Sequence, residues 1–446
     1  MVHIASKYIE AKPNFVMLYK IKNQVFGYYL NIISSIAFYP TFISITMFFL
    51  AVASITLEDR KVTSFLIDTT PYLVIDNPET ARTILGTLIG GILSLTVFSF
   101  SMVMVLLNQA SSNFSPRLLP GLISDKRNQI VLGIYLGTII FNIIVLISIL
   151  PNGDEYTLKG FSVLLAIMFG ILCLAMFVYF IHTISTGIQI NNILDKIFLQ
   201  TKSRLLSQID QERTTAKPIE VKDNWKTITN EKTGYYQGLN KEGLLKFINE
   251  NQVNVLILPF KGKYLLPHMP IIKYSNEIPK EAKDQLTNFL VYSSRNNAED
   301  NYVMGIKQIT EVGIKAMSPG INDPGTAVMT IDYLTELFAL RMRLDDCEIY
   351  QDESKTYKLE LKTVNFDQLI FQYLAAYRLY CKHDVILMKK VVMMIKYLLD
   401  QSCNHEHYRS VLMQQLNVVK EDINHNLENK EDRKLIRQLI EEISTI

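Results

Sequence analysis

The sequence predicts an α-helical integral membrane protein. Four transmembrane helices are followed by a mixed α+β, mostly helical cytoplasmic domain containing a small β module. Three observations carry this reading. The 45 basic and 43 acidic residues are unevenly placed, with 20 of them in residues 1–194 and 68 after that. Four stretches of the first part, 23–57, 83–116, 128–153 and 160–194, contain no Asp, Glu, Lys or Arg, and each exceeds the roughly 20 residues that cross a bilayer core. Beyond Asp195 the unbroken apolar runs give way to alternating strands and amphipathic helices. The expected divisions are a membrane domain over 1–194, a helical stalk and linker over 195–232, the β module over 233–279, and a mainly helical domain over 280–446.

The spans are expected near 32–57, 84–107, 130–150 and 161–186. The first apolar run is too long for a cleavable leader and has no small-x-small site before its polar loop. Lysines 7, 12, 20 and 22 precede it; Arg117, Lys126 and Arg127 lie between spans two and three; Lys196, Lys202 and Arg204 follow span four. The 58–82 loop sets Arg60, Lys61 and Arg82 against five acids, and the 151–159 loop has one lysine. The basic flanks place both termini in the cytoplasm. Cys173, Cys347, Cys381 and Cys403 show no paired spacing, so reduced thiols are expected. A net charge of +2 gives no reason for a nucleic-acid partner.

Within the spans, "GTLIG" (Gly86, Gly90) and "GIYLG" (Gly133, Gly137) are small-xxx-small patterns. Such patterns suit close helix contact, inside one bundle or between copies. The second span carries Ser94, Thr96, Ser99 and Ser101, and the third carries Asn142. An amide at that depth must bond a neighbouring helix or line a wet path. Spans without ionisable carboxylates or amines argue against a proton- or sodium-coupled transporter. His182 falls near the end of the fourth span. "NQASSNFSPRLLP" then reads as an amphipathic membrane-surface loop holding Ser115, Pro116 and Arg117, punctuated by Pro116, with Arg117 placed to reach phosphate headgroups or a neighbouring domain.

After the fourth span, Ile188, Ile193, Ile197, Leu205 and Ile209 keep one face of a stalk, which breaks near Pro218. "TGYYQGL" reads as a strand, and Asn240 caps a short helix. "VNVLIL" and "KYLLPHMPIIKY" read as strands joined through Pro259–Gly262. From Lys280 the pattern is helical, interrupted by the strand "TYKLELKTV"; Asn365 with Gln368 forms a capping-box pattern before a helix over 366–380, and another helix covers 384–400. No nucleotide loop, zincin motif or nucleophile elbow occurs, so no enzyme activity and no cofactor are expected. "CNHEHY" lacks a zinc spacing, so no metal is expected either.

The segment "AMSPGINDPGTA", Ala316 to Ala327, breaks one helical pattern and starts another. Ser318, Pro319 and Gly320 end the first helix. Asp323 then caps the second, with Pro324 at its first position. A cap alone does not require Asn322 and Thr326, which are expected to face a pocket or a subunit interface. The run resembles the signature of the DUF2254 family of predicted bacterial membrane proteins, as do "QASSNFSPRLL", "IHTISTGIQ" and "TGYYQGL" in the same order. One departure is "LPFKGKYLLPHMP", where a run of the type "RPGDFV…GxPL" is usual. The resemblance implies four spans and a cytoplasmic domain in a bacterial inner membrane, and leaves function open. Two functions lead: an oligomeric channel-like or pore-forming protein with a cytoplasmic regulatory domain, and a membrane-anchored sensor or scaffold binding a small ligand or protein; a membrane enzyme ranks third, because no general base or nucleophile pairs in sequence with the carboxylate of the corner. The expected partners are the lipid bilayer and further copies of the chain.

Overall fold

The computed structural model describes residues 35, 37–58, 75, 77–113, 126–149, 151–152, 155–156, 160–187, 189–211, 217–293, 301–351, 356–401 and 406–444. The chain divides into two compact units, residues 1–112 with 116–189 and residues 113–115 with 190–446.

The first unit holds four helices long and apolar enough to cross a membrane: α1 (Phe38–Glu58), α2 (Pro78–Asn113), α3 (Lys126–Ser148) and α4 (Gly160–Gly187). The hairpin of β1 (Pro151–Asn152) and β2 (Glu155–Tyr156) joins α3 to α4. α2 starts several residues before the position expected from apolarity alone, because Asn77 caps it. The Asn77 Oδ1 accepts from the backbone N–H groups of Glu79 (2.8 Å) and Thr80 (3.0 Å), and Pro78 takes the first helical position. Arg82 then donates to the Ile149 carbonyl at 2.5 Å, tying the start of α2 to the end of α3.

α3 is the hub: 44% of its span is buried, against 11% for α1 and α2. The second glycine pattern explains why. A Cβ on Gly133 would stand 2.8 Å from Ile43 Cδ1, and one on Gly137 2.8 Å from Met47 Cγ, so α1 lies directly on this glycine face. Gly170 of α4 similarly receives Leu88 of α2. The first pattern behaves differently. Among the described residues nothing lies within 4 Å of an added Cβ at Gly86, Gly90 and Gly91.

The second unit opens with α5 (Ile190–Gln211). The sheet residues come from widely separated parts of the chain. One sheet has the order β3 (Lys226–Thr229), β7 (Pro270–Tyr274), β5 (Val255–Ile257), β10 (Lys358–Lys362), β9 (Cys347–Gln351). Its β5–β10 pair is parallel, with Val255 opposite Leu359, and its other pairs are antiparallel. A second sheet has the order β6 (Tyr264–Leu265), β4 (Gly234–Leu239), β8 (Leu290–Ser293). Two short helices, α6 (Lys241–Asn251) and α7 (Lys280–Asn288), complete the module. Leu244, Phe247, Ile248, Leu286 and Leu359 close its core. The β module therefore takes strands from before residue 233 and after residue 346.

Six further helices follow: α8 (Tyr302–Ala316), α9 (Pro324–Arg341), α10 (Phe366–Cys381), α11 (Val385–Gln401), α12 (Glu406–Asn426) and α13 (Lys430–Ser444). α5 lies against α8 and α9. Thr201 fills the space left by Gly305, and Phe198 stacks on Tyr333 with ring centres 4.4 Å apart. The Tyr333 hydroxyl donates to Asp195, and Lys202 pairs with Glu336. The capping box expected at Asn365 does not form. Asn365 precedes α10 without a side-chain cap, and Asp346 Oδ1 accepts the Phe366 N–H at 3.1 Å instead.

Candidate functional site

The α8–α9 corner is built from short-range hydrogen bonds. The Ser318 hydroxyl donates to the Lys315 carbonyl at 2.7 Å, and the Ser318 carbonyl accepts from Ile321 and Asn322, both at 3.0 Å. The Asp323 N–H reaches back to the Ala316 carbonyl at 2.8 Å, closing the loop. The reversal puts Asn322 at φ 48°, a left-handed position that asparagine tolerates better than most residues. Asp323 caps α9 with both oxygens: Oδ1 accepts the Thr326 N–H at 3.0 Å and Oδ2 accepts the Thr326 hydroxyl at 2.6 Å. Thr326 is thus buried and turned onto the cap. Pro319, Gly320, Asn322, Pro324 and Gly325 form the exposed outer surface. Asn322 is exposed on the outside of the corner, whereas the Thr326 side chain is buried on the Asp323 cap.

Polar residues of the membrane unit form two sets. Ser99 and Asn142 are fully enclosed. Ser99 of α2, Tyr135 of α3 and Cys173 of α4 converge, and the Cys173 thiol donates to Thr138 Oγ1 at 3.4 Å. Tyr135, Thr138 and Asn142 follow at helical spacing along the inner face of α3, all without exposure. Among the described residues neither amide atom of Asn142 has a hydrogen-bond partner. An unpaired amide in an apolar interior is costly. Ser94 belongs to the other set. It lies on the outer face of α2 with Thr83, Thr87, Gly90 and Ser101, at steps of four, three, four and seven residues. The hydroxyls of Thr83, Thr87 and Ser94 donate to the carbonyls of Glu79, Thr83 and Gly90 at 2.8–2.9 Å.

The corner, the four apolar helices and the mixed second unit can now be set beside known proteins. The family model described as "Predicted membrane protein (DUF2254)" matches residues 33–397. The chain belongs to the DUF2254 family. Similar curated proteins are "Uncharacterized protein MT1328" of Mycobacterium tuberculosis (strain CDC 1551 / Oshkosh), 26% identical, and "Uncharacterized protein Rv1290c" of Mycobacterium tuberculosis (strain ATCC 25618 / H37Rv), 25% identical. Each matches over 269 residues, 56% of this chain and 49% of its own length. The DUF2254 chain thus spans about half the length of the curated relatives it matches. No solved structure matches it.

Three sequence-level candidates of this DUF2254 protein, Ser115, Pro116 and Arg117, lie outside the described residues, as do Cys403 and His405. His407 Nε2 lies 3.0 Å from Asp367 Oδ2. Sequence reasoning missed Arg341 at the end of α9. Its side chain is fully buried, donating to Asp346 (2.5 Å) and to the carbonyls of Leu344 (2.9 Å) and Val364 (2.8 Å). Because Asp346 also caps α10, one carboxylate joins the end of α9, the start of α10 and the entry to β9. An arginine in the last turn of an amphipathic helix reads as a surface residue, and nothing local reveals partners at 346 and 364.

Proposed function

We propose that this DUF2254 protein is an oligomeric, channel-like protein of a bacterial inner membrane. α2 lines or approaches the axis, and the second unit is a regulatory domain in the cytoplasm. The observation that carries this is the outer face of α2. Thr83, Thr87, Gly90 and Ser94 make a small, hydroxyl-bearing stripe along the first half of α2, and among the described residues nothing lies against Gly90; exposed Val97 and Phe98 continue that line toward Ser101. Lipid chains gain little from such a face, whereas a second helix packs closely on it and water bonds its free lone pairs. The basic residues flanking the spans support cytoplasmic termini. The test is the mass of the purified protein in detergent, followed by single-channel recording in planar bilayers. The expected result is an oligomer that conducts, and a Ser94→Leu variant that folds but loses conductance. A monomer without current would overturn the reading.

A second reading, a membrane-anchored sensor, is favoured by a different observation. A cleft of about 310 Å³ opens in the second unit between the sheets and the start of α8. Under both readings the SPGINDP corner serves as an exposed contact surface through Pro319, Gly320 and Asn322. No catalytic role is assigned to it.

A further inference from the structure

We propose that the cleft of the second unit binds a nucleoside phosphate. This deepens the sensor reading, on which it rests, and is independent of conduction. The volume, about 310 Å³, falls at the lower end of the roughly 300–1,000 Å³ typical of small-molecule sites. It suits one base, one sugar and a phosphate group better than a long or branched ligand.

The walls differ in chemistry. Lys241, Lys261 and Lys362 line the cleft together with two acids, Asp345 and Glu348, leaving a positive excess. The Lys241 ammonium stands 4.1 Å from the centre of the Tyr350 ring. The Tyr350 hydroxyl in turn donates to Glu348 at 2.7 Å. This chain of contacts holds one cation at the cleft. Two helices also begin here. Lys241 is the first residue of α6, capped by Asn240, and Tyr302 and Val303 open α8, capped by Asn301. Their N-terminal backbone dipoles add positive potential to that of the lysines. The Asn301 amide also donates to the Lys261 carbonyl at 2.9 Å, fixing the lysine-bearing loop to the start of α8.

The remaining walls suit a ring and its hydroxyls. Tyr236, Phe260 and Tyr302 give apolar surface for a flat heterocycle. At Gly238, with φ 137°, no atom of the described residues lies within 4 Å of an added Cβ, so a ring can approach the backbone of β4 there. Glu348 and Asp345 can accept from sugar hydroxyls or an exocyclic amine. A cation wall, aromatic surface and carboxylate acceptors in one cleft of this size together select a ligand with a phosphate, a ring and hydroxyls.

The experiment measures binding by calorimetry and thermal melting, using the full-length protein in detergent. The probes are AMP, ATP, adenosine, inorganic phosphate and citrate. AMP is expected to bind and raise the melting temperature, with ATP weaker and adenosine and inorganic phosphate each at least about tenfold weaker. The double variant Lys241→Glu, Lys362→Glu should lose that binding and keep its ligand-free melting temperature, because both side chains are exposed. Reversing two exposed lysines away from the cleft, Lys389→Glu and Lys434→Glu, should leave binding intact. Binding of citrate alone, abolished by the cleft variant, would overturn the nucleotide assignment and keep the cleft as a ligand site. Nucleotide binding that survives the cleft variant would overturn the site. No binding of any probe would overturn the proposal and remove the support for the sensor reading.

Discussion

At the residue scale, buried polar groups carry most of what is specific to this protein. Arg341 is enclosed and Asp346 only partly so, which makes the pair asymmetric. Removing Asp346 strands a buried cation and uncaps α10. Asp346→Ala is therefore expected to destabilise the second unit by about 3 kcal/mol, near the lower end of the cost of breaking a buried pair, and a shift in the urea midpoint would measure it. Asp346→Asn should cost less, because the amide oxygen still accepts. The tyrosines give a second residue-level expectation. The hydrogen bond to Asp195, followed by burial, pushes the Tyr333 hydroxyl up from 10.0 to about 12, and burial does the same for Tyr408. A raised folded-state value means that stability is complete below pH 10, where the hydroxyl is neutral in both states. It is lost as pH climbs from 10 toward 12, where only the unfolded chain ionises. Alkaline melts should show this fall, and Tyr333→Phe should flatten it. Sequence legibility at this scale followed range. Asp323–Pro324 was readable as a cap because all its partners lie within a few residues. The Asp346 cap of α10 was not, because its donor comes 20 residues later.

At the element scale, two glycine pairs of identical spacing perform different tasks. Gly133 and Gly137 receive α1, so Gly137→Leu must separate two packed helices. Among the described residues nothing meets Gly86 or Gly90, so Gly90→Leu is expected to leave the helix packing of the unit undisturbed. The expected contrast is loss of folded monomer for Gly137→Leu, against normal folding with a changed oligomer mass for Gly90→Leu. Size-exclusion chromatography with light scattering separates the two. Spacing alone could not assign these roles, since the pattern records only that backbone approach is allowed. Strand content was also only partly legible. "TGYYQGL" and "TYKLELKTV" alternate clearly and became β4 and β10. "CEIYQ", which became β9, is half-buried along its whole length and shows no alternation.

At the scale of the whole molecule, the division into a charge-poor and a charge-rich part was readable from composition, because a bilayer and water select opposite side chains. The four apolar helices end within six residues of the expected spans, and the Asn77 cap accounts for the early start of α2. The way the second unit assembles was not readable, because it depends on pairings between distant segments. Orientation yields a direct expectation from the basic flanks. Reporter fusions at Asp68 and Asn152 should face outward, and fusions at Lys126 and Ile446 inward. An inward Asn152 would reverse the proposed arrangement and remove the regulatory unit from the cytoplasm.

The parallel β5–β10 pair has a consequence for synthesis. Asn254 accepts the Lys358 N–H across a separation of 104 residues, and Val255 meets Leu359 beside it. While the ribosome is still making α8 and α9, β5 has its β7 neighbour and an open opposite edge. Late closure of so distant a pairing is slow, and an unpaired apolar edge invites intermolecular pairing. Chains halted between residues 275 and 357 should therefore aggregate through β5, and those reaching Lys362 should not. The last strand to emerge acts as the lock on a sheet whose other strands have been waiting for it.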